Sequence, residues 1–150
     1  MSAGIYSDLR LRSYVVTHLQ MQVDPARELI TDEGSLSLAF DVRRKPDSSD
    51  DYLLELTVSV NSDEADYETR GFRFACTVAG FFEVGDVKET YPESWETHLL
   101  SNGLSILFGI ARVKIDELSA AAPMGRFVLP CVNMQEYLKA RGETTAAPRS

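Results

Sequence analysis

The residues of this chain that could do chemistry are few and scattered. "DEAD" stands at Asp63 to Asp66, the tetrapeptide whose acids hold Mg²⁺ in a class of RNA helicases. That role needs a phosphate-cradling GxxxxGK[ST] loop, which the sequence lacks, and two motor domains, for which 150 residues are too few. The tetrapeptide therefore reads as part of a polar turn. His18 and His98 stand far apart and near no CxxC or HExxH pattern, so no metal site is expected. Nucleophilic catalysis would need a Ser or Cys with a base and an orienting acid. There is no GxSxG elbow, and Cys131 in "LPCVN" has apolar neighbours rather than an electropositive niche. The carboxylates concentrate in "DSSDD", "DEAD" and "PESWE", which read as solvated turns and helix starts. No catalytic residue, no cofactor and no reaction are expected.

Composition points the same way. The length suits about one domain with a core of its own. An apolar fraction of 44% and a charged fraction of 25% are ordinary for a folded soluble protein. A net charge of -8 and a pI near 4.7 oppose nucleic-acid binding. The nearest basic run, Arg43, Arg44 and Lys45, reads as a solvated strand end. No apolar run reaches the ~18 residues of a membrane span. "MSAGIYSDLRLRSY" carries acid early and no continuous apolar stretch, so no signal peptide is expected. Cys76 and Cys131, without a CxxC, read as two buried thiols in a reducing cytoplasm, a disulfide between them being the alternative.

What must be positioned, then, is surface. "LRLRSYVVTHLQMQV" begins the chain with a strand in which Val15, Thr17, Leu19, Met21 and Val23 alternate. "SLSLAFDV" puts Leu36, Leu38, Phe40 and Val42 on one side, and "YLLELTVSV" does so with Leu54, Leu56, Val58 and Val60. "KPDSSDD" and "NSDEADYE" read as turns. "TRGFRFACTVAGFFEV" is a long fourth strand with two mildly polar faces, and Gly80 in it marks a bulge or a close backbone approach. Four such strands with short connections imply an antiparallel sheet. The period then changes. A long helix opens in "YPESWETHLL" and closes at "SAAAP". Asn133 caps a short last helix, "MQEYLKAR", stopped by Gly142. "ETTAAPRS" reads as a disordered tail after a domain of residues 1–142.

The long helix is sticky on two sides. Leu100, Leu104, Leu107, Ala111, Ile115 and Leu118 form the stripe that packs on a core. Leu99, Ile106, Ile110 and Val113 form a second apolar surface, which reads as an interface between subunits. With the two-sided fourth strand and the Met134, Tyr137, Leu138 face of the last helix, the apolar surface exceeds what one four-stranded sheet covers.

One segment bears a resemblance. "LSNGLSILFGIARVKIDELSAAAPMGRFVLPCVNMQEYLKA" resembles the C-terminal half of the SecB export chaperones, whose long helix carries N-x-L-F-P-Y-A-R, matched here by "SILFGIAR". Their L-x-P-V-N-F segment is matched by "VLPCVNM", and "TVAGFFEV" looks like the end of their E-V-x-x-x-G-I-F strand. The likeness covers roughly residues 10 to 142 and is sharp from Gly71 onward. It implies an α+β fold: a four-stranded antiparallel Greek-key sheet with one long and one short C-terminal helix. It further implies a homotetramer built as a dimer of dimers, with long helices between the dimers and sheets paired into eight-stranded layers. The activity implied is that of an ATP-independent holdase for unfolded polypeptides, which needs no cofactor.

The departures are informative. The family docks on the SecA motor through acidic residues on the outer sheet face. The matching positions here are Ala75 and, on the first strand, His18 and Gln22, so SecA binding is not expected. Gly109 and Ile110 stand where Pro and Tyr are usual. A dedicated client, such as an antitoxin of a toxin–antitoxin system, is the expectation beside general export. An oligomeric adaptor for one folded partner is the alternative. Client contacts are expected from Met134, Tyr137 and Leu138 on the last helix, with Phe127 and Leu129 on the crossover before it. The resemblance adds Phe74, Cys76 and Val78, which the residues themselves assign to core or subunit contact.

Overall fold

The second, third and fourth strands form a meander, and the first returns to lie beside the fourth. In the computed structural model, which describes residues 9–26, 34–123 and 125–142, the sheet order is β1-β4-β3-β2 and every pair is antiparallel. The strands are β1 (Arg10–Val23), β2 (Leu36–Arg44), β3 (Asp51–Val60) and β4 (Phe72–Glu83). This is the Greek-key order expected above. The tail at 143–150 lies outside the described residues.

One sheet face is the core. Leu54, Leu56, Val58 and Val60 of β3 and Phe72, Phe74, Cys76, Val78 and Phe82 of β4 are fully enclosed. The 25-residue helix α3 (Trp95–Ser119) lies on that face, burying Leu100, Leu104, Leu107, Ala111 and Ile115. Two glycines permit the contact. A Cβ on Gly80 would come 2.8 Å from Leu107 Cδ2, and one on Gly103 would run into Leu54 Cδ1. Gly80 therefore marks a close approach; the bulges lie opposite it, in β1.

Asn61 ties three strands together. It adopts the left-handed conformation (φ 55°) and is fully buried. Its Oδ1 accepts from Ser35 N at 2.9 Å and its Nδ2 donates to Phe72 O at 3.1 Å, joining the approach to β2, the end of β3 and the start of β4. Asparagine is among the few non-glycine residues that tolerate this backbone.

Two short helices depart from the sequence expectation. The segment read as a turn at "NSDEADYE" is α1 (Glu64–Arg70), with α2 (Gly85–Thr90) following β4. In α1, Asp63 accepts from Ala65 N at 2.7 Å, Glu64 and Asp66 sit in the first turn, and left-handed Gly71 ends it. Those are ordinary helix signals. The helix buries no residue, so there was no apolar period to reveal it. The last helix, α4 (Met134–Arg141), falls where expected: Asn133 Oδ1 accepts from Glu136 N at 3.1 Å, and left-handed Gly142 closes it.

Candidate binding surface

The crossover and last helix, where client contacts are expected, pack on the chain's own sheet. Residues 126–133 form neither helix nor strand and are tied to α3 by side chains. Ser119 Oγ, buried, accepts from Phe127 N at 2.7 Å, and Arg112 Nε donates to Leu129 O at 3.1 Å. The Phe127 ring packs 5.6 Å from Phe72 and 5.5 Å from Phe74. Helix α4 then docks over β2. Tyr137 O–H donates to Leu38 O at 2.9 Å, while Arg141 donates to the Tyr137 oxygen at 2.8 Å and lies 5.1 Å from the Phe40 ring centre.

Most of the expected contact residues are consequently core. Leu129, Met134 and Leu138 are buried, as are Phe74, Cys76 and Val78 on the helix side of β4. Phe127 and Tyr137 are half-buried. The physical reason is that the sheet's helix side is wider than α3, and among the described residues the C-terminal segment covers Phe72 and Phe74 through Phe127 and reaches β2 through Tyr137. The residues expected at a subunit surface are divided. Leu99 is fully buried in the chain's own core and Ile110 is half-buried. α2, which packs on α3, was absent from the sequence reading. Ile106 and Val113 remain outside, 37% and 54% exposed.

Sequence reasoning missed the exposed apolar residues of β1. Tyr14 and Val15 are each 49% exposed and Leu19 41%. Register decides their faces. Leu19 pairs with Cys76 and Tyr14 with Gly80, on the helix side; Val15 pairs with Ala79, on the outer side beside exposed Phe81. Irregularities between Leu11 and Ser13 and between Val16 and His18 break the alternation, so Val15 and Leu19 do not share a face as expected. Among the described residues the 14-residue strand is paired on one edge alone. It carries neither proline nor lysine, and its arginines, Arg10 and Arg12, stand at its start, leaving Ser13 to Val23 without a formal charge. The opposite edge is managed differently. β2 has nine residues, ends in exposed Arg43 and Arg44, and has its Leu38 carbonyl capped by Tyr137.

The chemistry of this surface is non-covalent. Burial pushes the Cys76 thiol above its usual pKa, against a smaller opposing effect of Lys114, so it is no thiolate nucleophile. Cys131, expected inside, is exposed; both cysteines are free. On the outer face Thr57 and Thr77 share a hydroxyl hydrogen bond of 2.9 Å, with Ala75, His18 and Gln22 around them, and α1 reaches this face at Arg73 through Glu64. Among the described residues no three His, Cys, Asp or Glu side chains converge as metal ligands, and no helix is long and apolar enough to cross a membrane.

Such an arrangement defines an α+β protein of SecB-like fold, with its sheet open on one edge and one face. The chain is similar to the SecB-like chaperone Rv1957 of Mycobacterium tuberculosis, solved in complex with a ChAD peptide from the Rv1956 HigA1 antitoxin. The TM-score is 0.55 at 13% identity, over 83% of this chain and 90% of that one. A protein of unknown function from Streptococcus agalactiae superposes at a TM-score of 0.47 and 10% identity, over 83% and 97% of the two chains. No family model and no curated protein matches the sequence.

Proposed function

We propose that this protein is an ATP-independent chaperone, a holdase that binds unfolded polypeptide on apolar surface. The observation that carries the reading is the apolar surface left outside after the chain has closed its own core. Tyr14, Val15, Leu19, Phe81, Ile106, Val113 and Val128 all stand exposed on a SecB-like fold. Exposed apolar side chains of this kind offer binding surface, and apolar contact tolerates many sequences. Such a protein holds the unfolded state by mass action and needs no nucleotide.

Two surfaces divide the work. The free β1 edge receives β1 of a second copy, extending the sheet across a two-fold axis and removing the unprotected edge. Together with the α3 flank this gives a homotetramer built as a dimer of dimers. The client lies on the crossover ledge, where Val128 is 58% exposed on a segment that is neither helix nor strand, beside half-buried Phe127 and Tyr137. The SecB-like relative was solved with an antitoxin peptide, which supports a dedicated client of that class here. Free Cys76 and Cys131 suit the reducing cytoplasm.

The test mixes the protein with a slow-folding, unrelated client diluted from denaturant and follows refolding. Delay at stoichiometric assembly supports the holdase. Normal refolding of several clients refutes it in favour of an adaptor for one folded partner.

A further inference from the structure

The N-terminal half of β1 is committed to neither face of the sheet. Tyr14 is on the helix side and Val15 on the outer side, yet each is 49% exposed. The pairing there is also not the simplest one. Gln20 stands opposite Ala75, and counting back regularly from that pair would set Val16 against Ala79, Val15 against Gly80 and Tyr14 against Phe81. Two extra residues, Thr17 and Arg12, shift the strand by one step and then by a second. Without them Val15, Thr17, Leu19, Met21 and Val23 would share a face, which is the alternation that the sequence itself carries.

The two registers are closely matched. The observed one puts Leu11, Tyr14 and Val16 on the helix side, and the regular one would put Ser13, Val15 and Thr17 there. Charge does not choose between them. Arg12 Nη1 lies 3.6 Å from Glu83 Oε2 in the observed register, and in the regular one Arg12 would stand directly opposite Glu83. What holds the observed register is half-buried Leu11, whose Cδ1 lies 3.2 Å from where a Cβ on Gly80 would stand. Among the described residues the other edge of β1 is unpaired, so a one-step slip breaks hydrogen bonds to β4 alone.

We infer that β1 is a two-register strand, whose residues 10–17 exchange between the bulged pairing seen here and the regular one. The exchange turns Val15 from the outer face to the helix side, and brings Tyr14 and Val16 outward beside Phe81 and Ala79. It changes which apolar side chains each face offers, while residues 20–23 keep their partners. It needs no client, so it stands whether or not the chain is a holdase.

Disulfide trapping reads the register directly, in a Cys76→Ala, Cys131→Ser background under a glutathione redox buffer. Val15→Cys with Ala79→Cys reports the bulged pairing and Val16→Cys with Ala79→Cys the regular one, while Gln20→Cys with Ala75→Cys closes in either. Both Ala79 pairs should close within the chain, the regular one more slowly. Leu11→Ser should move the ratio of their rates about fivefold toward the regular pair, as loss of a half-buried leucine implies, and leave the Gln20 pair unchanged. Thr17→Val adds an apolar group on the regular helix side without removing one, and should move the ratio the same way. Cooperative melting controls for folding. A Val16 pair that stays open in the folded parent and in both variants, while the Gln20 pair closes, overturns the exchange.

Discussion

Leu138→Ala separates a core residue from a client contact. Leu138 is 1% exposed and Met134 3%, and these two side chains anchor an eight-residue helix. A helix that short has little stability of its own, so its order depends on docking. Truncating a buried leucine costs the lost transfer energy plus the cavity, about 2–5 kcal/mol. Taking about 3 kcal/mol, and 2–4 °C per kcal/mol for a chain of this size, the melting point should fall by about 6–12 °C. Tyr137→Phe is the milder companion. It deletes the hydroxyl that bonds Leu38 O and Arg141, at a half-exposed site where water replaces it, for about 0.5–1.5 kcal/mol.

The assay pairs calorimetric melts with hydrogen exchange over residues 134–141 and a titration of the folded variant with an unfolded client. Protection in α4 should drop with Leu138→Ala, by detachment of the helix or with the whole fold. Client affinity of the folded fraction should change less than the melting point implies. An unshifted melt with native protection in α4, together with a client affinity reduced tenfold or more, would refute the placement of Leu138 in the core.

Thiol chemistry gives a second prediction. Cys131 should react at once with a chromogenic disulfide reagent, and Cys76 only on unfolding. Burial raises the Cys76 pKa above 9.0 and that of Tyr52 above 10.0. Each neutral group therefore contributes stability that is complete below its unfolded value and is lost as pH rises through the raised folded value. Stability by urea titration should fall above about pH 9, and further above about pH 10, and Cys76→Ala should remove the first step. The third concerns the export motor. Ala75, His18 and Gln22 carry no formal negative charge where the resembled family has acids, and the outer-face carboxylates Asp41 and Glu55 lie on other strands, so calorimetric titration with SecA should show no binding at physiological salt. Micromolar or tighter affinity would restore an export role.

The sheet was legible because its alternation is local. Leu36 to Val42, Leu54 to Val60 and Phe72 to Val78 each declare a buried face within one strand, and Asn133 and Gly142 declare both ends of α4. The errors share a cause. Whether Val15 and Leu19 share a face depends on irregularities set by β1's pairing with β4, some 60 residues away. Whether Leu129, Met134 and Leu138 are surface or core depends on Tyr137 reaching Leu38, a contact 99 residues apart in sequence. α3 was read correctly as two-sided, but the division was misjudged at Leu99. Periodicity shows that a helix has apolar sides without showing which side a short neighbour such as α2 will claim.

The two edges of one sheet bring the functional argument to a point. A sheet with a free strand invites pairing, and a chain under no demand for a partner has reason to guard both sides. This chain guards β2 with brevity, arginines, a docked helix and a tyrosine on the Leu38 carbonyl. It leaves β1 long and apolar on both faces, and above the same sheet it leaves α3 with a hole at Gly109 between Ile106 and Val113. A general shortage of polar residues does not explain this, because 25% of the chain is charged and its net charge is -8. The β1 stretch from Ser13 to Val23 and the exposed α3 positions Ser105, Ile106, Gly109 and Val113 carry no formal charge on a surface otherwise well supplied with it. Uncharged exposed positions on both structural layers of one fold are what the proposed holdase needs to offer apolar surface to another chain.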